Sequence, residues 1–153
     1  MFESYKFLTM QPKVLVSACS DDRFPFTGFL KHNLGLDEGY YFPIRVPGGL
    51  APLAYREILP AHFEVAVSYL KIALKHRPAI TTLVNFGHDN GCAFYEDFLP
   101  EFKNRVREDL PTVAEIVKDL FPQIKHVKLF HASVTTGDMV EFHPVSEAML
   151  QTA

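Results

Sequence analysis

Residues 13–23, Lys13-Val14-Leu15-Val16-Ser17-Ala18-Cys19-Ser20-Asp21-Asp22-Arg23, decide the fold class. The first seven are a short run rich in β-branched residues, and the run stops at a polar cluster. A strand that is apolar on both faces belongs to a sheet covered on both sides, which is the signature of parallel pairing. The flanking sequence agrees. Phe26 to Leu34 reads as a short helix, and Gly35 suits its C-terminal cap. Tyr40 to Val46 reads as a second strand, with Pro43 restricting it to an edge or a local irregularity because proline gives no N–H to a ladder. Pro47-Gly48-Gly49 reads as a loop.

Further on, Phe63, Ala66, Val67, Leu70, Ala73 and Leu74 recur at helical spacing, so Pro60 to His76 is read as an amphipathic helix. A third strand, Ile80 to Phe86, runs into a second polar cluster, Gly87-His88-Asp89-Asn90-Gly91-Cys92. A later helix is expected to start near Pro111, since proline fits a first turn, with Val113, Ile116, Val117 and Leu120 on its apolar face. Val127 to Val134 and Met139 to His143 flank Thr135-Thr136-Gly137-Asp138, a hairpin turn. Strands alternating with helices predict an α/β domain with a mostly parallel, doubly wound β-sheet flanked by helices and a C-terminal β-hairpin extension.

The chain of 153 residues is read as a single domain, 1–153. A chain of this size buries roughly 70% of its unfolded surface. Hydrophobic residues at 48% and charged residues at 22% exclude disordered and fibrous classes. A net charge of −3 leaves no electrostatic footprint for nucleic acid or an anionic membrane. No apolar run approaches the roughly 18 residues of a membrane span. The opening Met1-Phe2-Glu3-Ser4-Tyr5-Lys6 has no basic segment followed by a long apolar one, so no secretory signal is expected. Two cysteines do not make a disulfide framework, which favours a reducing compartment and a cytoplasmic location.

Ligands of open α/β sheets sit outside the carboxyl ends of the strands. Two such ends carry the only cysteines: Cys19 with Asp21 and Arg23, and Cys92 with His88. If the two strands are neighbours, two thiolates, an imidazole and a carboxylate converge, a set suited to tetrahedral zinc. Zinc lowers the pKa of a coordinated water to about 7 and so supplies hydroxide at neutral pH. Arg23 could hold Asp21 in a bidentate ion pair and control its access to the metal. Each cysteine also reads simply as a small buried hydrophobe. Cys92 could instead be a nucleophile on a strand-to-helix turn with His88 as its base, although that leaves Asp21 and Arg23 without a role. The remaining histidines have no metal spacing: His126, His131 and His143 read as structural, and His32, His62 and His76 as solvated or capping. The fourteen phenylalanines are spread along the chain as core and interface residues would be.

Cys19-Ser20-Asp21-Asp22-Arg23 after a hydrophobic strand resembles the Cys-x-Asp-x-Arg motif of β-class carbonic anhydrases. Arg45-Val46-Pro47-Gly48-Gly49 resembles the arginine and glycine loop after their second strand, and Gly87-His88-Asp89-Asn90-Gly91-Cys92 their Gly-His-x-x-Cys-Gly segment. The Thr136-Gly137 hairpin is similar to their last strands, and the order and spacing hold from about Lys13 to His143. The nearest likeness is to the short carbonic-anhydrase-like branch. The resemblance implies Zn²⁺ held by Cys19, His88 and Cys92, with Asp21 either a fourth ligand or, when paired with Arg23, a gate that releases the fourth position to water. It further implies a lyase that reversibly hydrates carbon dioxide to bicarbonate by zinc-bound hydroxide, and a homodimer. Two alternatives stay open: a metal-poor relative that binds a small ligand, and a hydrolase of an analogue such as carbonyl sulfide or carbon disulfide.

The sequence departs from that family twice. Three residues, Asp89, Asn90 and Gly91, separate His88 from Cys92 where the family has two. Inside a helix one extra residue turns a side chain by about 100° and advances it about 1.5 Å. Placed in a left-handed turn at Gly91 before the helix, it would still let Cys92 reach the metal. The family's long N-terminal helical arm also has no counterpart before Lys13, which leads us to expect a more open pocket.

Overall fold

In the computed structural model, which describes residues 1–147, five strands form one sheet in the order β2-β1-β3-β4-β5. They are β1 (Val14–Ala18), β2 (Tyr41–Arg45), β3 (Thr82–His88), β4 (His126–Thr135) and β5 (Met139–Val145). β1 pairs in parallel with both β2 and β3, β3 pairs in parallel with β4, and only β4 with β5 is antiparallel. The sheet is thus the mostly parallel one expected, closed by a hairpin. β2 is an edge strand, the position to which Pro43 restricts it.

The apolar run of β1 is buried on both faces, as its composition demands. Leu15 packs with Leu70 and Leu74 of α2 (Pro60–His76) and with Val113 and Val117 of α4 (Val106–Leu120). Val16 and Ala18 pack on the opposite face with Phe26 and Leu30 of α1 (Phe26–Leu34). α1 stops where Gly35 adopts φ 66° and returns its N–H to the Leu30 carbonyl. The bounds of α1 and α2 are those read from the sequence.

Elsewhere the boundaries differ, for identifiable reasons. β3 occupies Thr82–His88 rather than Ile80 to Phe86, because the ladder with β4 continues through Gly87 opposite His131 and His88 opposite Ala132. Ile80 serves instead as a fully buried anchor just before the strand. α4 starts at Val106, so Pro111 lies inside it and not at its first turn. A 3-10 turn, Pro100–Arg105, leads into α4, and Val106 and Leu110 extend its buried face backwards past the proline. The helix expected to follow the turn at Gly91, for which no bounds were read, is the short α3 (Ala93–Phe98). β4 and β5 are each longer than read, and their turn places Gly137 and Asp138 at positive φ. Among the described residues no helix is long and apolar enough to cross a membrane.

Candidate metal centre

β1 and β3 are neighbours, so their carboxyl ends open onto one place. Cys19 follows β1 directly, and its backbone is fixed by Arg45, whose Nε donates to the Cys19 carbonyl at 2.9 Å. The loop after β2 closes over the sulfur, with the Gly48 N–H donating to Cys19 Sγ at 3.4 Å. Gly48 has φ +75°, and a Cβ there would lie 2.6 Å from the Phe94 ring, so both conformation and space require glycine.

Asp21 and Arg23 form a two-pronged pair. Arg23 Nε donates to Asp21 Oδ1 at 3.0 Å and Nη2 to Oδ2 at 2.6 Å. The guanidinium beside Asp21 holds its carboxyl down to about 2. Asp21 Oδ2 lies 3.8 Å from His88 Nε2, so the carboxylate borders the cysteines' site while its oxygens stay with Arg23.

His88 is the last residue of β3, 1% exposed, with the Phe24 ring tilted over it at 4.3 Å between centroids. Its Nδ1 lies 2.8 Å from the Asp89 carbonyl oxygen. A carbonyl only accepts, so the proton is on Nδ1 and Nε2 carries the lone pair. Among the described residues that Nε2 has no hydrogen-bond partner. Leaving such an atom buried and unpaired costs about 1–3 kcal/mol, a cost that a metal bond removes.

The extra residue between His88 and Cys92 is taken up before α3 begins. Asn90 (φ 62°) and Gly91 (φ 85°) both adopt left-handed conformations, and Cys92, extended at φ −67°, caps α3. Arg23 reaches across to this turn, its Nη2 donating to the Asn90 and Gly91 carbonyls at 3.0 and 3.2 Å. Asn90 Oδ1 accepts the Val134 N–H at 3.1 Å, which ties the turn to β4.

One donor atom each of Cys19, His88 and Cys92 falls within 4.8 Å of the others, and all three residues are buried. Donors of a tetrahedral zinc with bonds of about 2.0–2.3 Å fall within that limit of one another. The two sulfurs behave as a coupled pair. The Cys92 thiol beside Cys19, with help from His88 and the Gly48 N–H, holds Cys19 well below the ordinary thiol range against the effect of burial. Sharing that proton and burial raise Cys92. Burial works against charge on His88, but the Cys19 sulfur nearby and the Asp89 carbonyl outweigh it and raise its pKa. Two sulfurs and an imidazole that presents Nε2 are a donor set that fits zinc. Asp21 is not in the convergent trio.

The other histidines lie outside it. His131 is buried with Nε2 3.0 Å from Asp89 Oδ1, and His143 lies 3.3 Å from Glu141. His62 packs against Phe94 and Phe98.

Behind the centre is a polar group that the sequence reading missed. Tyr55 and Tyr95 both donate their hydroxyls to Asp109 Oδ2, Tyr95 at 2.7 Å. Burial raises the pKa of all three. The available signal was Asp109 itself, a carboxylate on the apolar face of α4 beside Val106, Leu110 and Val113. Between this group and the centre is a cavity of about 20 Å³, room for one water, lined by Cys19, Asn85, His88 and Cys92 as well as Tyr95 and Asp109.

By sequence, the chain matches no family model and no curated relative. By structure, it is similar to the β-carbonic anhydrase of the fungal pathogen Aspergillus fumigatus, with a TM-score of 0.54 and 16% identity over 90% of this chain and 77% of that one. It is also similar to a β-carbonic anhydrase from the filamentous ascomycete Sordaria macrospora, described as tetrameric, with a TM-score of 0.51 and 13% identity over 90% of this chain and 84% of that one.

Proposed function

We propose, from the premise that this chain has the β-carbonic-anhydrase fold, that it holds one zinc ion through Cys19, His88 and Cys92 and reversibly hydrates carbon dioxide to bicarbonate. The observation that carries this reading is the convergence of those three buried donors beside the Asp21–Arg23 pair. Zinc bound there supplies a Lewis acid that brings the pKa of a coordinated water to about 7.

The chain's own residues do the rest. Asp89 holds the His88 ring in the tautomer that presents Nε2, and Phe24 over the ring excludes water from it. The Gly48 N–H offsets negative charge on Cys19. Arg23 occupies both oxygens of Asp21, which keeps the carboxylate from becoming a fourth donor and leaves that position to water. Asp21 stays ionised at neutral pH, so it only accepts hydrogen bonds and can orient a hydroxyl by taking its hydrogen. An open cleft of about 350 Å³, lined by Asp89 and Glu96 as well as Lys103 and Asn104, leads to Cys92.

The reading includes a cytoplasmic homodimer. Its supports are the two free thiols, which need a reducing compartment, and a bare apolar stripe on the outside of α2 made by Val65, Tyr69 and Ile72. Sedimentation is expected to give twice the 17.4 kDa chain mass. The deciding experiment is elemental analysis of protein purified without chelator or added metal, followed by a carbon dioxide hydration assay. Near one zinc per chain with hydration activity is expected. No metal uptake, even with zinc offered, overturns the reading.

A further inference from the structure

Cys19 and Cys92 are buried against Tyr55, Phe94 and Tyr95 with a cavity of about 20 Å³ beside them, and hydrogen bonds tie down the segments that carry the two sulfurs. Cys92 caps α3, and Tyr95 of that helix donates to Asp109 Oδ2 at 2.7 Å. Cys19 Sγ is met by the Gly48 N–H, and the chain runs from Gly48 into the 3-10 turn Ala51–Tyr55, whose Tyr55 donates to the same Asp109 oxygen. Asp109 stands on α4, whose neighbouring Val113 is packed into the main core. One carboxylate oxygen on a rigid helix is therefore shared by the two segments that place the two sulfurs. A buried carboxylate is a costly way to join three elements, and apolar packing would serve stability as well. Its use here calls for a role that packing alone does not fill.

We infer that Asp109 is a positioning residue for the sulfur donors, acting through Tyr95 on Cys92 and through Tyr55 and the Gly48 loop on Cys19. The inference rests on the metal reading above. Residues behind metal ligands typically change metal affinity by about 10–100-fold when altered.

The test compares Tyr95→Phe, Asp109→Leu and Asp109→Asn with Val117→Ala, a core change on α4 away from the centre. Zinc affinity is read by chelator competition, the thiolate-to-metal absorption by cobalt substitution, and Tm alongside. Tyr95→Phe and Asp109→Leu are expected to weaken zinc about 10-fold or more and to shift the cobalt spectrum. Asp109→Asn, which keeps an oxygen for both hydroxyls, should recover most of the affinity. Val117→Ala should lose Tm and keep wild-type zinc affinity. Wild-type affinity in both Tyr95→Phe and Asp109→Leu, or an equal loss in Val117→Ala, overturns the inference.

If wild-type protein takes up no zinc, the metal reading fails and positioning is read in the metal-free protein by alkylation of Cys92. Faster alkylation in Tyr95→Phe than in wild type and Val117→Ala supports the role of Asp109, and equal rates overturn it.

Discussion

At the end of β1 the chain places Cys19, Asp21 and Arg23 within five residues, fixed by the Arg45 bond to the Cys19 carbonyl and the Gly48 N–H on the sulfur. At the end of β3 it takes one residue more than the related motif to bring His88 and Cys92 to the same point, and it does so with two consecutive left-handed residues. The first end is rigid because its loop follows directly from a buried strand. The second is rigid because Arg23, supplied by the first, bonds two of its carbonyls. The comparison teaches that ligand spacing along the chain matters less than where the extra residue is placed. Had the helix already begun between His88 and Cys92, the extra residue would have rotated Cys92 away by about 100°. Inserted before the cap, it costs only a turn.

The sharpest way to break this comparison is to remove one sulfur at each end. Cys19→Ser and Cys92→Ser are each expected to abolish zinc retention in elemental analysis, because zinc prefers thiolate to hydroxyl by a wide margin. Zinc at wild-type level in Cys92→Ser alone would mean that the β3 end is not a ligand end. Full metal in Cys19→Ser would remove the β1 end instead.

The turn itself comes next. Gly91 has φ +85°, and a Cβ there would meet only Glu96 Oε1 at 3.6 Å and Arg23 Nη2 at 3.8 Å, which are ordinary contacts. The strain of Gly91→Ala is therefore backbone strain, about 1–2 kcal/mol. Thermal denaturation should show a Tm lower by about 2–8 °C, given roughly 2–4 °C per kcal/mol at this size. Zinc affinity should fall with it, since Cys92 is the next residue. Gly28→Ala, inside α1 with nothing within 4 Å of the new Cβ, provides the contrast: helix propensity should raise Tm and leave zinc binding unchanged. A Gly91→Ala protein with unchanged Tm and affinity would show that the left-handed turn is not what seats Cys92.

What could be read from the sequence follows the same division. β1, α1 and α2 were legible because local signals and tertiary roles coincide there: Gly35 ends α1 and Pro60 opens α2. The end of β3 was not, because its last two residues are strand only through pairing with His131 and Ala132 of β4. Pro111 misled because a proline tolerated inside a helix looks like one that starts it, although Val106 and Leu110 already carried the apolar period upstream. Cys19, His88 and Cys92 stood out as donors, and a left-handed turn at Gly91 was one of the two placements that the sequence left open for the extra residue. That Asn90 shares it was available in the Asn-Gly pair. The reach of Arg23 to the Asn90 and Gly91 carbonyls depends on two strands becoming neighbours, and no local pattern encodes it. The Asp109 group is of the same kind, since three separate elements meet on one oxygen.

The smallest effect is expected where the two ends meet, at Arg23. Arg23→Ala should leave zinc in place, because no donor is removed, while hydration activity changes as Asp21 becomes free to take the fourth position. Metal loss would instead mean that zinc retention itself depends on the bonds from Arg23 to the Cys92 turn. Its electrostatic part can be separated by pH. With Arg23 present, Asp21 is depressed to about 2 from the ordinary 3.8. A carboxylate lowered on folding adds stability that is complete above its unfolded pKa and lost as pH falls through the folded one. The Tm difference between wild type and Arg23→Ala should thus be constant from neutral pH down to about 5, and shrink between about 4 and 2. Arg23 is well exposed, so added salt should reduce that part further. The bonds from Arg23 to the Asn90 and Gly91 carbonyls do not titrate and should account for whatever difference persists in acid. A Tm difference that is unchanged down to pH 2 would assign all of Arg23's contribution to the turn at the end of β3 and none to its pairing with Asp21.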